Sequence, residues 1–530
     1  MNPPALLTIR DLLFEGDQDP DHPAIESPGY KPLTHRGLRE HILVVNKMLS
    51  ARGFQRNDRI AVIIPAGPAA AVMIAAVMTG FTSVPLNYQH REQEFEAFFL
   101  SAGIAAIVIE KDSKTAAKTA AGNLHIPVIE IIPGTTTAGI FSLEPVNPAD
   151  PQNAVFADPE DIVTLVQTSG TTSIPKSIPY SQKLLCELIH YYRELLQYNN
   201  KDRCLFIIPY YHILGIGTLL NILAQGGTVI STKDFIPSDF PLLLTTTRPT
   251  FYWGVPALHQ AILGELRKVP VEKTRTGSLR FVGTVSSFMP DSIRQDLESR
   301  LGTSMVEVYG MSEAPLISFN VPYKSGSVGM PAIEFLKITD EDGISRGPGE
   351  QGEIVIKGAM VFSGYDNAPE ENAQAFHDGW FRTGDRGYID DDGYLFITGR
   401  VKELINKGGE KISPAEIDTV LCSHPQIRDA MAFPVKDPVL MEEIAAMVVK
   451  ADQKVSEIEI RNFLLDHLVP FKIPGRIYFV DAIPRNPAGK ALRHAGTLRY
   501  DQRLSQDKTG ALSDDPLHDD IPVRTDPDRV

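Results

Sequence analysis

The chain has 530 residues, of which 43% are hydrophobic and 22% charged, and its formal net charge is -15. This length exceeds what one hydrophobic core supports, so the composition predicts a globular protein of two or more domains. The acidic balance argues against a nucleic-acid-binding protein, because such proteins carry a basic surface. Any anionic substrate must therefore be attracted by local Lys, Arg and backbone N–H groups.

The three cysteines indicate a compartment. Cys186, Cys204 and Cys422 are widely separated and lack the spacing of metal ligands, which favours a reducing, cytoplasmic setting. The first residues show neither the basic segment nor the apolar core of a signal peptide.

Up to residue 143, short helical patterns alternate with runs of apolar residues. Strands separated by helices predict a parallel sheet covered on both faces. A connector rich in Pro, Asn and Asp follows at 145–159. The predicted elements of this part are a helix at 36–52 and strands at 60–64, 82–86, 105–109 and 128–132.

The uncharged stretch 60–86 resembles a membrane span at first sight. Proline and glycine at 65–68 divide it and leave a helix from about 69 to 78. That helix is much shorter than the ~20 residues that a span requires. We therefore expect buried core here and no integral membrane segment.

The second unit opens on a polar stretch, 168–176, between an apolar strand at 162–167 and a helix at 182–196. The stretch combines five hydroxyl side chains with Gly170 and Lys176. Gly lets the backbone approach a ligand, successive N–H groups form an anion nest and Lys adds a charge, so the stretch suits phosphate oxygens. The Gly-Lys-Ser/Thr ending of a Walker A loop is absent. By composition alone, a polar surface loop fits equally well.

The pattern changes twice further on. After further predicted strands, glycines beyond residue 318 punctuate short alternating runs such as 352–357, which predicts a small antiparallel barrel or sheet. Beyond residue 400, helices at 413–422 and 455–467 alternate with strands in a small α+β domain. The strands of the second unit are predicted at 204–208, 228–231, 250–253 and 279–283. The predicted division is 1–398 for a large N-terminal domain, 399–402 for a hinge, 403–504 for a mobile C-terminal domain and 505–530 for a disordered acidic tail.

Four more stretches combine residues suited to chemistry. Residues 309–313 offer an aromatic ring, a Gly, a hydroxyl and a carboxylate, which fit base stacking and a cation, or an ordinary strand end. Asp385 lies in a predicted tight Gly turn, where it either caps its own turn or binds both hydroxyls of a ribose. The charged, Gly-rich stretch 399–412 is a solvated linker or a mobile joint. Lys490, on a Gly turn, would by itself be a surface residue.

Taken as a set, these stretches resemble the acyl-adenylate-forming superfamily, which includes acyl-CoA synthetases, peptide-synthetase adenylation domains and luciferase. The resemblance covers about residues 12–493. It implies an α/β fold with a large N-terminal domain of two layered α/β subdomains and a small β-barrel, followed by a small mobile α+β C-terminal domain. It also implies a two-step ligase: ATP and a carboxylic acid give acyl-AMP and pyrophosphate, and a thiol, usually that of CoA, then takes the acyl group. The matching motifs are 168–176, 309–313, 383–385, 399–400, 407–413 and 489–490.

The resemblance implies roles for single residues in binding the nucleotide. The loop 168–176 would hold the β- and γ-phosphates, Tyr309 would stack on adenine, and Asp385 with Arg400 would hold the ribose. Glu313 and Thr172 would place Mg²⁺. The implied ATP and AMP site consists of Thr168, Ser169, Gly170, Thr171, Thr172, Lys176, Ser286, Ser287, Phe288, Tyr309, Gly310, Met311, Ser312, Asp385 and Arg400.

The resemblance also implies roles in catalysis and domain movement. Lys490 would bridge the carboxylate and the α-phosphate, where charge grows in the transition state. The small domain would then swing about Lys402 and bring Gly408 and Gly409 to the CoA channel. The implied catalytic residues are Lys490, Glu313, His212 and Thr172, and the implied acyl pocket is formed by His212, Trp253, Gly283, Gly310 and Pro315.

The identity of the acid stays open. Ser173 and the stretch 400–413 are similar to oxalate-type CoA ligases, yet the sequence at 314–316 is Ala-Pro-Leu where those relatives carry a His. Trp253 either shortens the acyl pocket and favours a compact acid, or is a core aromatic.

Two alternatives to an acyl-CoA synthetase remain. A stand-alone adenylation enzyme would load the phosphopantetheine thiol of a separate acyl or peptidyl carrier protein, since no carrier domain is expected after residue 493. A luciferase-like oxygenase or a non-catalytic binder is the other. Together, the presence of five residues argues against a non-catalytic protein: Lys176, Glu313, Asp385, Arg400 and Lys490.

Overall fold

The structure is a computed structural model that describes residues 7–16, 18–143, 153–167, 176–286, 289–408, 410–437, 439–451, 455–485 and 490–498. Several sequence predictions lie outside these ranges. They concern 168–175, Ser287, Phe288, Gly409 and the tail 505–530.

Strands and helices alternate in the first part of the chain, as the sequence predicts. The helix α3 follows Gly67 and Pro68, and all its residues from 69 to 78 are buried, which confirms that the uncharged stretch is core. No helix in the described ranges is long and apolar enough to cross a membrane. The elements are α1 (Ile9–Phe14), β1 (Pro23–Glu26), β2 (Leu33–Thr34), α2 (His35–Ala51), β3 (Arg59–Ile63), α3 (Pro68–Met78), β4 (Thr82–Pro85), α4 (Glu92–Ala102), β5 (Ala106–Glu110), α5 (Ala117–Asn123), β6 (Val128–Pro133) and β7 (Phe141–Leu143).

The second unit differs from the prediction at its start. A strand, β9, lies between the polar loop and the helix that the sequence predicts directly after it. Pro179 hides this strand from pattern reasoning, but β9 is an edge strand paired with β8 alone, where a missing N–H is tolerated. The elements are β8 (Ile162–Gln167), β9 (Ser177–Ser181), α6 (Gln182–Leu196), β10 (Arg203–Phe206), α7 (Ile213–Ala224), β11 (Thr228–Ser231), α8 (Phe240–Thr247), β12 (Phe251–Gly254), α9 (Pro256–Leu266), α10 (Val271–Thr274), β13 (Phe281–Thr284), α11 (Asp291–Leu301), β14 (Met305–Met311) and β15 (Ala314–Phe319).

The glycine-rich part forms an antiparallel sheet in the order β17-β18-β20-β19, with β21 paired to β20. The predicted tight turn at Asp385 is wrong, because Asp385 lies inside β20 and pairs with Arg400 of β21. Gly384 has a φ of +73°, so its positive φ is accommodated within an irregular strand and does not reverse the chain. The elements are β16 (Met330–Pro331), β17 (Phe335–Thr339), β18 (Gly352–Lys357), α12 (Pro369–Ala375), β19 (Phe376–His377), β20 (Trp380–Ile389) and β21 (Leu395–Arg400).

The last part is the small α+β unit that the sequence predicts. Its sheet has the order β23-β22-β25-β24, and β26 pairs with β25. Both faces of β24 are covered: Ala430 and Ala432 belong to one core cluster, and Met431 and Phe433 to another. The elements are β22 (Ile405–Lys407), β23 (Glu410–Ile412), α13 (Pro414–Ser423), β24 (Ile427–Asp437), β25 (Met441–Lys450), α14 (Glu457–His467) and β26 (Arg476–Phe479).

Two large sheets position the candidate site. One has the order β7-β6-β5-β3-β4-β8-β9 and the other β16-β15-β14-β13-β12-β10-β11-β1-β2. Their central pairings, such as β3 with β4 and β12 with β13, are parallel. One apolar cluster includes α3, α7 and strands of both sheets, so the sheets share a core. The carboxyl ends of parallel strands are where ligands bind in such sheets.

Candidate active site

The predicted phosphate loop joins two antiparallel strands. β8 ends at Gln167 and β9 begins at Ser177, and the Gln167 Nε2 donates a hydrogen bond to the Ser177 Oγ at 2.9 Å. Residues 168–175 lie between them, outside the described ranges. Lys176 places its Nζ 4.6 Å from the centre of the Tyr365 ring. The structure thus fixes both ends of the loop and one cation at its base.

Glu313 lies at the tip of the hairpin formed by β14 and β15. Its side chain is 8% exposed, and the Tyr365 hydroxyl donates to its Oε1 at 2.8 Å. Tyr365 therefore contacts both Lys176 and Glu313. Sequence reasoning missed Tyr365, because a single Tyr 52 residues from its partner leaves no local pattern.

Close packing shapes the same hairpin. A Cβ on Gly310 would lie 2.1 Å from the carbonyl oxygen of Pro315, so only Gly lets the two strands approach this closely. The Tyr180 hydroxyl, on β9, donates to the carbonyl oxygen of Ser312. The position of Met311, Ser312 and Glu313 is thus tied to the strand that follows the loop.

Asp385 is a buried carboxylate held from two sides. It is 5% exposed, the Tyr309 hydroxyl donates to its Oδ2 at 2.6 Å, and the Arg400 Nε lies 3.0 Å from its Oδ1. Burial, with the Asp385 charge second, raises the pKa of Tyr309 well above its ordinary value, so the phenol remains a donor. Each carboxylate oxygen keeps a further lone pair, which suits a pair of ligand hydroxyls.

Lys490 reaches the same cleft from the C-terminal part of the chain. Burial and then the Arg400 cation lower its pKa, while Asp385 and Glu313 act in the opposite direction. Burial, together with the Lys490 cation, lowers the pKa of His212 to about 4, so this imidazole is neutral at pH 7. The fold thus brings Lys490, Asp385, Glu313 and His212 into one electrostatic neighbourhood.

His212 immediately precedes α7 and leads into a cavity. Its ring lies 4.7 Å, centre to centre, from that of Tyr211. Beside it, about 410 Å³ of empty space, part of it open to solvent, lies between α6 and α7. The helices contribute Leu185, Leu188, Ile189, Tyr192, Ile213, Leu214, Gly217, Thr218 and Asn221, and the other lining residues are Tyr198, Trp253 and Pro315.

Trp253 combines the two roles that the sequence left open. It is 2% exposed and its Nε1 donates to the Tyr198 hydroxyl at 3.0 Å, as a core aromatic would. It also lines the cavity. A Cβ on Gly283 would lie 2.2 Å from the Trp253 Cε3, so the indole occupies the room that a side chain at 283 would need.

No contact among the described residues brings the other predicted site residues into this cleft. Ser286 is exposed with a φ of +79°. Gly408, with a φ of +62°, donates its N–H to the Leu440 carbonyl oxygen at 2.7 Å. Lys402 is exposed in a single 3-10 turn, Val401–Glu403. Among the residues described, no group of three or more His, Cys, Asp or Glu side chains is arranged to hold a metal ion.

Comparison with known proteins gives concordant matches. The family model for AMP-binding enzymes matches residues 15–366, and that for the C-terminal domain of AMP-binding enzymes matches residues 416–490. A probable CoA ligase of Humulus lupulus is 35% identical over 95% of this chain and 98% of its own length. An oxalate–CoA ligase of Arabidopsis thaliana is 33% identical over 89% of this chain and 95% of its own.

Solved structures agree with the sequence matches. ATP-bound MatB from Rhodopseudomonas palustris has a TM-score of 0.84 at 26% identity, over 93% of this chain and 99% of its own. The apo form of the same protein has a TM-score of 0.75 at 26% identity, over 94% of this chain and 99% of its own. The large and small domains of this chain thus have counterparts across the whole of that structure.

Proposed function

This chain belongs to the family of AMP-binding enzymes, and from that premise we propose that its cleft activates a carboxylic acid as acyl-AMP and then passes the acyl group to CoA. The relatives named as CoA ligases match nearly the whole chain. Their names favour CoA over the phosphopantetheine of a carrier protein as the acceptor thiol.

The observation that carries the proposal is the convergence of Lys490, Arg400, Asp385 and Glu313. Glu313 comes from the β14–β15 hairpin, Asp385 and Arg400 come from the paired strands β20 and β21, and Lys490 comes from the small domain, yet the charges of the other three act on Lys490. This group places cations beside buried carboxylates in one cleft. It suits a polyanionic nucleotide whose ribose and phosphates need separate partners.

The residues divide the work of adenylation. Asp385 and Arg400 hold the ribose hydroxyls, and Lys176 with the preceding loop holds the outer phosphates. The acid's carboxylate oxygen attacks the α-phosphorus, and pyrophosphate leaves as that bond forms. Lys490 places its cation where negative charge grows between the carboxylate and the α-phosphate, which lowers the barrier electrostatically.

Glu313 fits a magnesium ion. Mg²⁺ commonly takes one or two protein carboxylates together with substrate phosphate oxygens, and Glu313 is a buried carboxylate oriented by Tyr365. When bound, the ion supplies neutralisation of phosphate charge. Thr172, the second ligand that the family resemblance implies, lies outside the described ranges.

The arrangement of the two domains fits the first step. Lys490 lies in the cleft, and the structure is more similar to the ATP-bound than to the apo form of the same relative. For the thiol step, the domain that begins after the 3-10 turn at Val401–Glu403 rotates about Lys402, withdraws Lys490 and brings the Gly408 hairpin towards the acyl group. His212, neutral at pH 7, then stands between acyl pocket and thiol.

Release of pyrophosphate over a panel of carboxylic acids, with and without CoA, tests the proposal. We expect acid-dependent release without CoA and an acyl-CoA product when CoA is added. Absence of release with every acid would refute the ligase. Release without any acyl-CoA product would instead support a carrier protein as acceptor.

A further inference from the structure

One buried polar atom, on a residue that lines the cavity beside α7, has no hydrogen-bond partner among the residues described. Asn221 is 2% exposed, its Nδ2 donates to the Gly217 carbonyl oxygen at 3.1 Å, and its Oδ1 is buried without a hydrogen bond. A carbonyl oxygen can only accept, so the amide nitrogen must face Gly217 and the oxygen is the unpaired atom. Buried acceptors without partners are costly and rare in folded proteins.

The position of Asn221 places this atom far from the reacting carboxylate. Ile213, Gly217 and Asn221 all line the cavity, and their spacing of four residues puts them on one face of α7. At 1.5 Å per residue, Asn221 lies about 12 Å along the helix from Ile213. His212, on which the Lys490 charge acts, immediately precedes Ile213. Asn221 therefore lies at the other end of the stretch of α7 that lines the cavity, away from His212.

The rest of the lining determines which ligand end could reach Asn221. Among the residues that the structure describes around the cavity, none is a Lys, Arg, His, Asp or Glu. A second carboxylate there would be buried without a counter-charge, which is strongly unfavourable. Burying a neutral hydrogen-bond donor there is not strongly unfavourable. Tyr198, which also lines the cavity, accepts a hydrogen bond from Trp253 and keeps its own proton, because burial raises the pKa of its phenol.

We propose that the acyl pocket takes a monocarboxylic acid with an apolar body and a hydroxyl at its far end, and that the Asn221 Oδ1 accepts the hydrogen bond of that hydroxyl. The inference rests on the proposed ligase function and names its substrate class. A hydroxyl supplies the donor that Asn221 needs. An acid without one leaves the amide oxygen unpaired, and a dicarboxylate places a charge among apolar side chains.

Matched pairs of acids test the inference by pyrophosphate release. One pair is 8-hydroxyoctanoate with octanoate, and the other is 3-(4-hydroxyphenyl)propanoate with 3-phenylpropanoate. We expect the hydroxylated member of at least one pair to have a kcat/KM about tenfold higher, the usual effect of one hydrogen bond to a buried group. The pair that shows the preference tells whether the body is aliphatic or aromatic.

Two variants separate Asn221 from the rest of the pocket. Asn221→Leu should abolish the preference for the hydroxylated acid while unfolding at the same temperature as wild type or a higher one, because it removes an unpaired polar group. Leu188→Met, a volume-conserving change in the same cavity, should leave the preference unchanged.

Three results would overturn the inference. They are equal kcat/KM values within both pairs, a preference that survives in Asn221→Leu, and a lower unfolding temperature of Asn221→Leu with parallel loss of activity on both acids. The ligase function stands in all three cases. Absence of pyrophosphate release from any acid, by contrast, would overturn that function as well.

Discussion

Tyr365 is one link between the base of the phosphate loop and the hairpin that carries Glu313, because its ring faces Lys176 and its hydroxyl donates to Glu313. Tyr365→Phe removes the hydrogen bond to the Glu313 Oε1 and frees that carboxylate to rotate. Partners of metal ligands typically matter by about 10–100-fold, so we expect about tenfold slower adenylation and a higher Mg²⁺ requirement.

A titration of Mg²⁺ against pyrophosphate release measures this effect. Tyr394→Phe is the matched control, since its hydroxyl donates to the Pro322 carbonyl oxygen at 3.1 Å, outside the proposed site. An unchanged Mg²⁺ requirement in Tyr365→Phe would contradict the assignment of Glu313 to the metal.

The lowered pKa of Lys490 predicts that adenylation slows at alkaline pH. Burial and the Arg400 cation lower its pKa below that of an ordinary Lys, so its charge is lost at a lower pH. Because adenylation needs the charged form, kcat/KM for the acid should fall as the pH rises through that lowered pKa. Lys490→Arg keeps its charge over the whole range and should move the fall to higher pH. The same fall in both proteins would show that another group titrates.

Sequence reasoning finds some of these residues and not others, for a physical reason. Lys176, Glu313, Asp385 and Lys490 lie in motifs whose neighbours are also unusual, so the motifs identify them. Asn221 is one polar residue in an apolar helix, and its unpaired oxygen is visible only when the hydrogen bonds of its surroundings are known.

At the scale of elements, substitution by Ala is expected to have opposite effects on stability at two glycines of α7. A Cβ on Gly215 would lie 2.1 Å from the Pro209 carbonyl oxygen, whereas a Cβ on Gly217 meets nothing within 4 Å. Gly215→Ala should destabilise the protein by about 1–3 kcal/mol through overpacking. Gly217→Ala should stabilise it by roughly 0.5–1 kcal/mol through helix propensity.

Denaturant unfolding of the two variants provides the comparison. Gly217→Ala also adds a methyl group to the cavity, so kcat/KM for the bulkier acids should decrease although the protein is more stable. Equal stabilities of the two variants would contradict the close approach of α7 to Pro209.

Elements are predictable where one pattern is enough to specify them. The regular helix α6 and the strand β8 have the predicted bounds, because apolar periodicity dominates there. β9 was missed because Pro179 is unfavourable in a strand by local rules, and tertiary position at the sheet edge overrides that rule. Asp385 was placed in a turn because Gly384 signals one, whereas pairing with β21 keeps the chain extended.

At the scale of the whole molecule, buried histidines predict acid instability. His35 and His259 are 2% and 0% exposed, and burial lowers the pKa of each to about 4. Between pH 6.5 and 4 the unfolded chain binds more protons than the folded one, so stability falls as the pH drops through this window and is constant above it. The expected loss at pH 5 is on the order of 2 kcal/mol for each histidine.

Unfolding at pH 7 and at pH 5 checks this expectation. The free energy of unfolding of His259→Gln should decrease less between pH 7 and pH 5 than that of the wild type, whatever the stability of the variant at pH 7. An identical loss in the two proteins would mean that His259 is protonated in the folded state or that other groups control acid unfolding.

The sequence predicts the order of domains but not their orientation. The apolar patterns of each domain are satisfied internally, and the orientation that brings Lys490 to Asp385 includes exposed ion pairs such as Lys411–Glu341, which joins the small domain to the large one. Such surface pairs are weak, which suits a protein that must exchange one domain orientation for another.

The two half-reactions of Lys490→Ala test the central claim most directly. With an acid that the wild-type enzyme activates, we expect the variant to release pyrophosphate at least a hundredfold more slowly, yet to form acyl-CoA from supplied acyl-AMP and CoA at close to the wild-type rate. Equal loss of both half-reactions, or undiminished pyrophosphate release, would contradict an enzyme in which Lys490 acts in the first step and leaves for the second.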